Sequence, residues 1–208
     1  MQTQVIDTIF KDFKLNFRYF FDPLDRGFVN EAIIQLLARE YKCTSDQRIK
    51  LERPQYKMSQ IYFIMQGGFG LYNPKAVDNN VHDCSDPFLI IRRYSVYGDY
   101  QLTFDLFPIM EFSPFVPLNS TPKEVITELE EDANVPTYNV MCLNEEKFNE
   151  LCELYPDSKH TIAMSGLLKR KLFIEQMESQ KDAVDTGAKW MPFIYKPQKV
   201  NLNELNKH

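Results

Sequence analysis

Few residues in this chain have the types and spacing that chemistry requires. Tyr97-Gly98-Asp99 puts a carboxylate directly after a glycine turn, with Leu102 next and Glu111 further along. As a pair, Asp99 and Glu111 would suit proton transfer, but their separation in sequence gives no convergence. Arg92 and Arg93 precede the turn, and a second basic run, Lys169-Arg170-Lys171, lies far downstream. The three histidines, His82, His160 and His208, fall in a polar loop, at a helix start and at the C-terminal end, with no metal-ligand spacing. Ser165-Gly166 lacks the strand–turn–helix setting of a nucleophile elbow. Gly67-Gly-Phe-Gly70 follows a strand-like run, but no helix pattern opens after it and no Gly-x-x-x-x-Gly-Lys loop occurs. These residues lead to the expectation of no catalytic residue and no metal site.

The elements that must position these residues need a folded core. The 208 residues are 44% hydrophobic and 13% aromatic, enough for one sizeable core with helical extensions. A net charge of -5 gives no overall footprint for nucleic acid. Cys43, Cys84, Cys142 and Cys152 are scattered without a Cys-x-x-Cys pair, which favours reduced thiols in an intracellular compartment. Cys142 and Cys152 sit on apolar faces and read as small buried hydrophobes. No apolar run approaches the roughly 20 residues of a membrane span. Asp7 and Asp12 interrupt the N-terminal segment, and no arginine precedes Arg18, which speaks against a transit peptide.

Val5, Ile9, Phe13, Phe17 and Phe20 recur at helical spacing, predicting an amphipathic first helix that ends before Asp22-Pro23. A second helix is predicted over 28–37. Strand patterns follow at 48–51 (Arg48-Ile-Lys-Leu51), 61–65, 88–91, 109–112 and 138–143, with a long polar loop over 73–86. Between the last two strands, Thr121-Pro122-Lys123-Glu124 combines an N-cap, a first-turn proline and a capping glutamate. Val125, Ile126 and Leu129 then form an apolar edge, with Glu128, Glu130, Glu131 and Asp132 outside. The segment reads as a solvated acidic helix over the strands or as a dock for a basic partner. Because it joins two strands at the surface, a short Gly/Ser link in place of 121–133 is expected to leave the β portion folded. Asn144 caps a helix over 145–152, Tyr155-Pro156 breaks it, and a long helix is predicted from 157 to about 180. The tail from Gly187 reads as irregular.

Two segments carry a family resemblance: Gln60-Ile-Tyr-Phe-Ile-Met-Gln-Gly67-Gly68, and Pro87 to Leu102 with its Tyr97-Gly98-Asp99 turn. Together they resemble the β-roll of the cyclic nucleotide-binding superfamily, nearest to the cytoplasmic domains of cyclic-nucleotide-gated, hyperpolarization-activated and related potassium channels. The match covers roughly residues 10 to 180. It implies an α+β fold: an antiparallel β-roll (41–143, with the helical insertion 121–133) flanked by N-terminal helices (1–40) and C-terminal helices (144–180), then an irregular tail (181–208). In that family the turn's N–H groups surround the cyclic phosphate, its acid accepts a ribose hydroxyl, and an arginine about a dozen residues later offsets the phosphate charge. Gly98 and Asp99 carry over, but no arginine does, and Glu111 lies near its place. The resemblance therefore implies a vestigial pocket at Tyr97, Gly98, Asp99, Leu102 and Glu111. Arg92 or Arg93 would be a rescue cation, and only one of them can face a given side if they continue a strand.

Lys169-Arg170-Lys171 lies where family members place residues that cap the base, and is read here as a solvated helix face. Some degenerate channel domains fill the pocket with a downstream aromatic segment, a role open to Trp190, Phe193 and Tyr195. The resulting expectation is a non-catalytic regulatory or scaffolding module without a cofactor, intracellular, cytoplasmic or associated with a membrane or organelle complex. It would act through protein partners in a larger assembly, or as the gating domain of a cation channel if the chain is part of a longer one. The alternative is a genuine cAMP or cGMP sensor.

Overall fold

The computed structural model describes residues 10–43, 49–72, 87–119, 121–132, 137–185 and 191–197. Helices α1 (Lys11–Asn16) and α2 (Arg18–Phe21) lead into α3 (Arg26–Ile34) and strand β1 (Leu37–Tyr41). Strands β2 (Gln60–Gln66), β3 (Phe69–Tyr72), β4 (Leu89–Ile91) and β5 (Val96–Tyr97) follow, then a one-turn helix α4 (Asp99–Thr103) and β6 (Glu111–Pro114). Helix α5 (Lys123–Leu129) runs on into a 3-10 turn, Glu130–Asp132. Strand β7 (Tyr138–Asn144), helices α6 (Glu145–Leu154) and α7 (Pro156–Asp185), and strand β8 (Phe193–Tyr195) are the remaining elements among the described residues. One sheet has the order β1-β7-β2-β5 and the other β6-β3-β4-β8. Every pairing is antiparallel except β4 with β8. The fold is α+β.

Strand β2 joins the two halves of the core because both of its faces are covered. Its side chains alternate. Phe63 meets the rings of Phe13, Phe17, Phe20 and Phe21 from the N-terminal helices. Tyr62, on the opposite face, packs on Phe112 of the second sheet, whose ring also stacks on Tyr97 and Phe69. Gly67, at φ 83°, makes the turn from β2 to β3 in the left-handed region that favours glycine.

Several predicted elements have different bounds. Of the first helix, residues 1–9 lie outside the described residues; the rest is broken at Phe17 into two short pieces, and Phe13, Phe17 and Phe21 are core residues. The second helix stops at Ile34, because the chain must turn to lay β1 along β7. The strand predicted at 48–51 reduces to a bridge between Glu52 and Phe112, supported by a hydrogen bond from the Leu51 N–H to the Phe112 carbonyl; Arg48 lies outside the described residues. The predicted loop 73–86, with Cys84 and His82, also lies outside them. The strand expected at 109–112 is shifted to 111–114 by its register against β3. The tail is not wholly irregular: Phe193–Tyr195 adds to the edge of β4.

The acidic insertion belongs to the core. Val125 and Leu129 are buried with Ile90 and Phe115. Asp132, expected outside, is buried and ion-paired, while Glu128 and Glu131 remain about half exposed or more. Removing 121–133 would strip apolar cover from β4 and leave a carboxylate-paired arginine alone, which corrects the expectation of an expendable segment. Asn144 caps α6 as expected, its Oδ1 accepting from the Lys147 N–H at 2.9 Å, and Tyr155 ends that helix. Cys142 and Cys152 are buried, and burial pushes both thiols up to about 11.

Glu52 is a buried carboxylate at the seam between the sheets, accepting from the Tyr62 hydroxyl at 2.7 Å. Burial raises its pKa against the opposing hydrogen bonds of Tyr62 and Ser59. A raised folded-state pKa gives stability that is present below the unfolded value and is lost as pH rises through the folded value. Glu52→Gln keeps the acceptor without the charge. Its urea midpoint is expected to rise relative to wild type as pH climbs above the ordinary glutamate value of about 4.3. A midpoint difference that stays flat or falls over that range would contradict the burial argument.

Candidate functional site

The candidate site forms where β5 turns into α4. Gly98 sits at φ 96° as the N-cap residue of α4. A Cβ there would come within 2.6 Å of Met58 Cε and 2.7 Å of the Gln60 carbonyl oxygen, so both conformation and space demand glycine. Tyr97, ahead of it, is buried face to face with Phe112 at 4.2 Å between ring centroids. Burial raises the Tyr97 hydroxyl well above its ordinary value. Leu102 is buried, and its N–H closes the α4 turn on the Gly98 carbonyl.

Asp99 is buried, and Lys169 of α7 binds it directly. The same ammonium donates to the Val96 carbonyl at 3.0 Å. Lys169 thus spans from the long helix to both sides of the glycine turn. Its side chain is only 9% exposed, which corrects the reading of a solvated basic face. Lys171, two residues on, does match that reading, as an exposed partner of Glu175. Close approach of the helix makes the burial possible. Gly166, one turn before Lys169, lies so near α4 that a Cβ would come 2.4 Å from the Tyr100 Cβ.

Glu111 does not share a site with Asp99. It is buried on β6, paired with Lys50 at 2.8 Å and accepting from the Ser113 hydroxyl at 3.2 Å. Arg92 and Arg93 do not continue β4: they follow its end, in a turn that places Tyr94 at φ 64°. Strand alternation therefore does not separate them, and both reach the insertion. Arg92 Nε donates to Asp132 Oδ2 at 3.0 Å, and Arg93 pairs with Glu131 and, at 3.7 Å, with Asp132. The acidic turn after α5 thus engages both candidate rescue cations.

Tyr195 of β8 comes close to the same region. It packs edge-on against Phe173 of α7, and burial together with the Asp99 charge raises its hydroxyl pKa. Trp190 lies outside the described residues. Sequence reasoning missed Lys169 and Asp132. A glycine inside a long helix, costing about 1 kcal/mol relative to alanine, was the available sign of close packing at 166, and Lys169 and Phe173 share its face. Among the described residues there is no group of three or more His, Cys, Asp or Glu able to hold a metal, and no helix long and apolar enough to cross a membrane.

No protein-family profile matches the chain, and no curated protein does. Among solved structures it is similar to cAMP-bound PfPKA-R (141–441), with a TM-score of 0.44 and 12% sequence identity. The match covers 64% of this chain and 37% of that one, so the chain spans under two fifths of the length of the structure it matches.

The contact between α4 and α7 is directly testable. Gly166→Ala gains about 1 kcal/mol of helix propensity but forces overpacking against Tyr100 that costs about 1–3 kcal/mol. A net loss of stability is expected in thermal unfolding. A variant more stable than wild type by about 1 kcal/mol would mean that α7 does not lie on the turn.

Proposed function

We propose that this chain is a non-catalytic regulatory or scaffolding module built on a cyclic nucleotide-binding-like roll, with a ligand pocket sealed by its own side chains. One observation carries the reading. Asp99, the acid that the sequence resemblance would assign to a ribose hydroxyl, is engaged by Lys169 beneath a helix in van der Waals contact with the turn. A nucleotide entering there would have to open this buried pair. Breaking such a pair costs about 3–5 kcal/mol, or about two to three and a half powers of ten in affinity. The two arginines closest to the turn in sequence are held by Asp132 and Glu131. The module then acts through protein contacts, in a larger assembly or as the gating domain of a cation channel of which this chain is a part.

A second reading rests on the same lysine. Lys169 supplies a buried cation beside the turn, although no arginine follows it, and its ammonium has two acceptors for three donors among the described residues. If Asp99 released it, Lys169 could meet a cyclic phosphate, and the chain would be a cAMP or cGMP sensor. Calorimetry separates the two. With a sealed pocket, cAMP and cGMP give no saturable heat at millimolar concentration. Saturable micromolar binding that Lys169→Ala abolishes would overturn the proposal and establish the sensor.

A further inference from the structure

A cleft of about 520 Å³ opens on the surface between the N-terminal helices, the turn after β4 and the residues following β8. Its walls are Leu15, Asn16, Arg18 and Tyr19 on one side, Arg92, Arg93 and Tyr94 on the second, and Lys196 and Pro197 on the third. Four of these nine residues are cationic and none is acidic, in a chain whose net charge is -5. Each tyrosine lies beside an arginine: Arg18 sits 4.9 Å from the Tyr19 ring centroid, and Arg93 5.4 Å from that of Tyr94. Ring contact of this kind orients a guanidinium; Arg18 gives one donor to the Tyr19 hydroxyl and keeps others, and Arg93 directs its donors to Glu131 and Asp132.

The cations differ in how firmly they are held. Arg92 is tied to buried Asp132 and serves the fold. Lys196 pairs with exposed Glu128, a contact of about 0–1 kcal/mol that an incoming anion can replace. Arg93 is intermediate: it pairs with exposed Glu131 and, at 3.7 Å, with buried Asp132, so only its Glu131 contact is open to replacement. Arg18 is exposed, donates to the Tyr19 hydroxyl at 3.0 Å and feels the nearby Asp22 charge, contacts open to solvent and to an incoming anion. Tyr94 reinforces the site. A bulky residue at φ 64° is strained, and it is held by its N–H on the Ile64 carbonyl at 2.7 Å and by the edge of Phe17.

We propose that this cleft binds a compact phosphate-bearing ligand through Arg18, Arg93 and Lys196. Three cations on separate elements suit a group with several charged oxygens better than a single carboxylate, and the volume is that of a small-molecule site. Occupancy would tie the N-terminal helices and the β8 tail to the roll. The proposal is independent of the Asp99 turn. The phosphate can come from a soluble polyphosphate or from a lipid headgroup.

The probes are inorganic pyrophosphate in calorimetry, and sedimentation with phosphatidylcholine vesicles carrying either phosphatidylinositol bisphosphate or phosphatidylserine. Arg18→Glu and Lys196→Glu change exposed side chains and should fold normally. Saturable pyrophosphate binding weakened about tenfold or more by either substitution supports the site with a soluble ligand. Selective binding to the bisphosphate vesicles with the same loss supports it with a lipid headgroup. No response to either probe overturns the proposal. So does a response equal in wild type and both variants, or vesicle binding matched by phosphatidylserine without a pyrophosphate response.

Discussion

The buried pair between Lys169 and Asp99 joins parts of the chain that are far apart in sequence. Asp99 opens the one-turn helix after β5, and Lys169 lies in the middle of the thirty-residue α7. Neither charge tolerates burial alone, so forming the pair fixes where α7 lies. The Gly166 contact with Tyr100 follows from that placement, and so does the meeting of Phe173 with Tyr195. The tail strand is thereby held between β4 and the helix. The turn at Gly98 and Asp99 lies directly against α7.

A second electrostatic joint works beside the first. Arg92 and Arg93 leave β4 in a turn and hold the acidic end of the insertion, whose apolar edge lies on Ile90 and Phe115. The insertion is consequently coupled to the same strand that pairs with β8. The acidic insertion and the tail strand thus converge on β4. A pull on either would act on β4, whose following turn leads through β5 to Gly98.

Local chemistry was legible in the sequence. Ile61 to Met65 reads as a strand because aromatic and β-branched side chains favour a pleated, buried surface, and Asn144 and Tyr155-Pro156 act through their immediate neighbours. Non-local features were hidden. Strand β1 is exposed along nearly its whole length and lacks the alternation that marks a half-buried strand. Strand β8 has three residues and a partner about a hundred positions earlier. Lys169 sits in a run of three cations whose composition says solvent, and only the contact at Gly166 reveals burial. The turn at Gly98 was readable; what closes it was not.

The direct test is a double-mutant cycle on unfolding free energy with Lys169→Met, Asp99→Leu and the combined variant. A buried pair predicts that each single change costs about 3–5 kcal/mol, and that the double variant recovers much of the loss. Additivity within about 0.5 kcal/mol would show that the two charges do not depend on each other, and would contradict the account of how α7 is held over the turn.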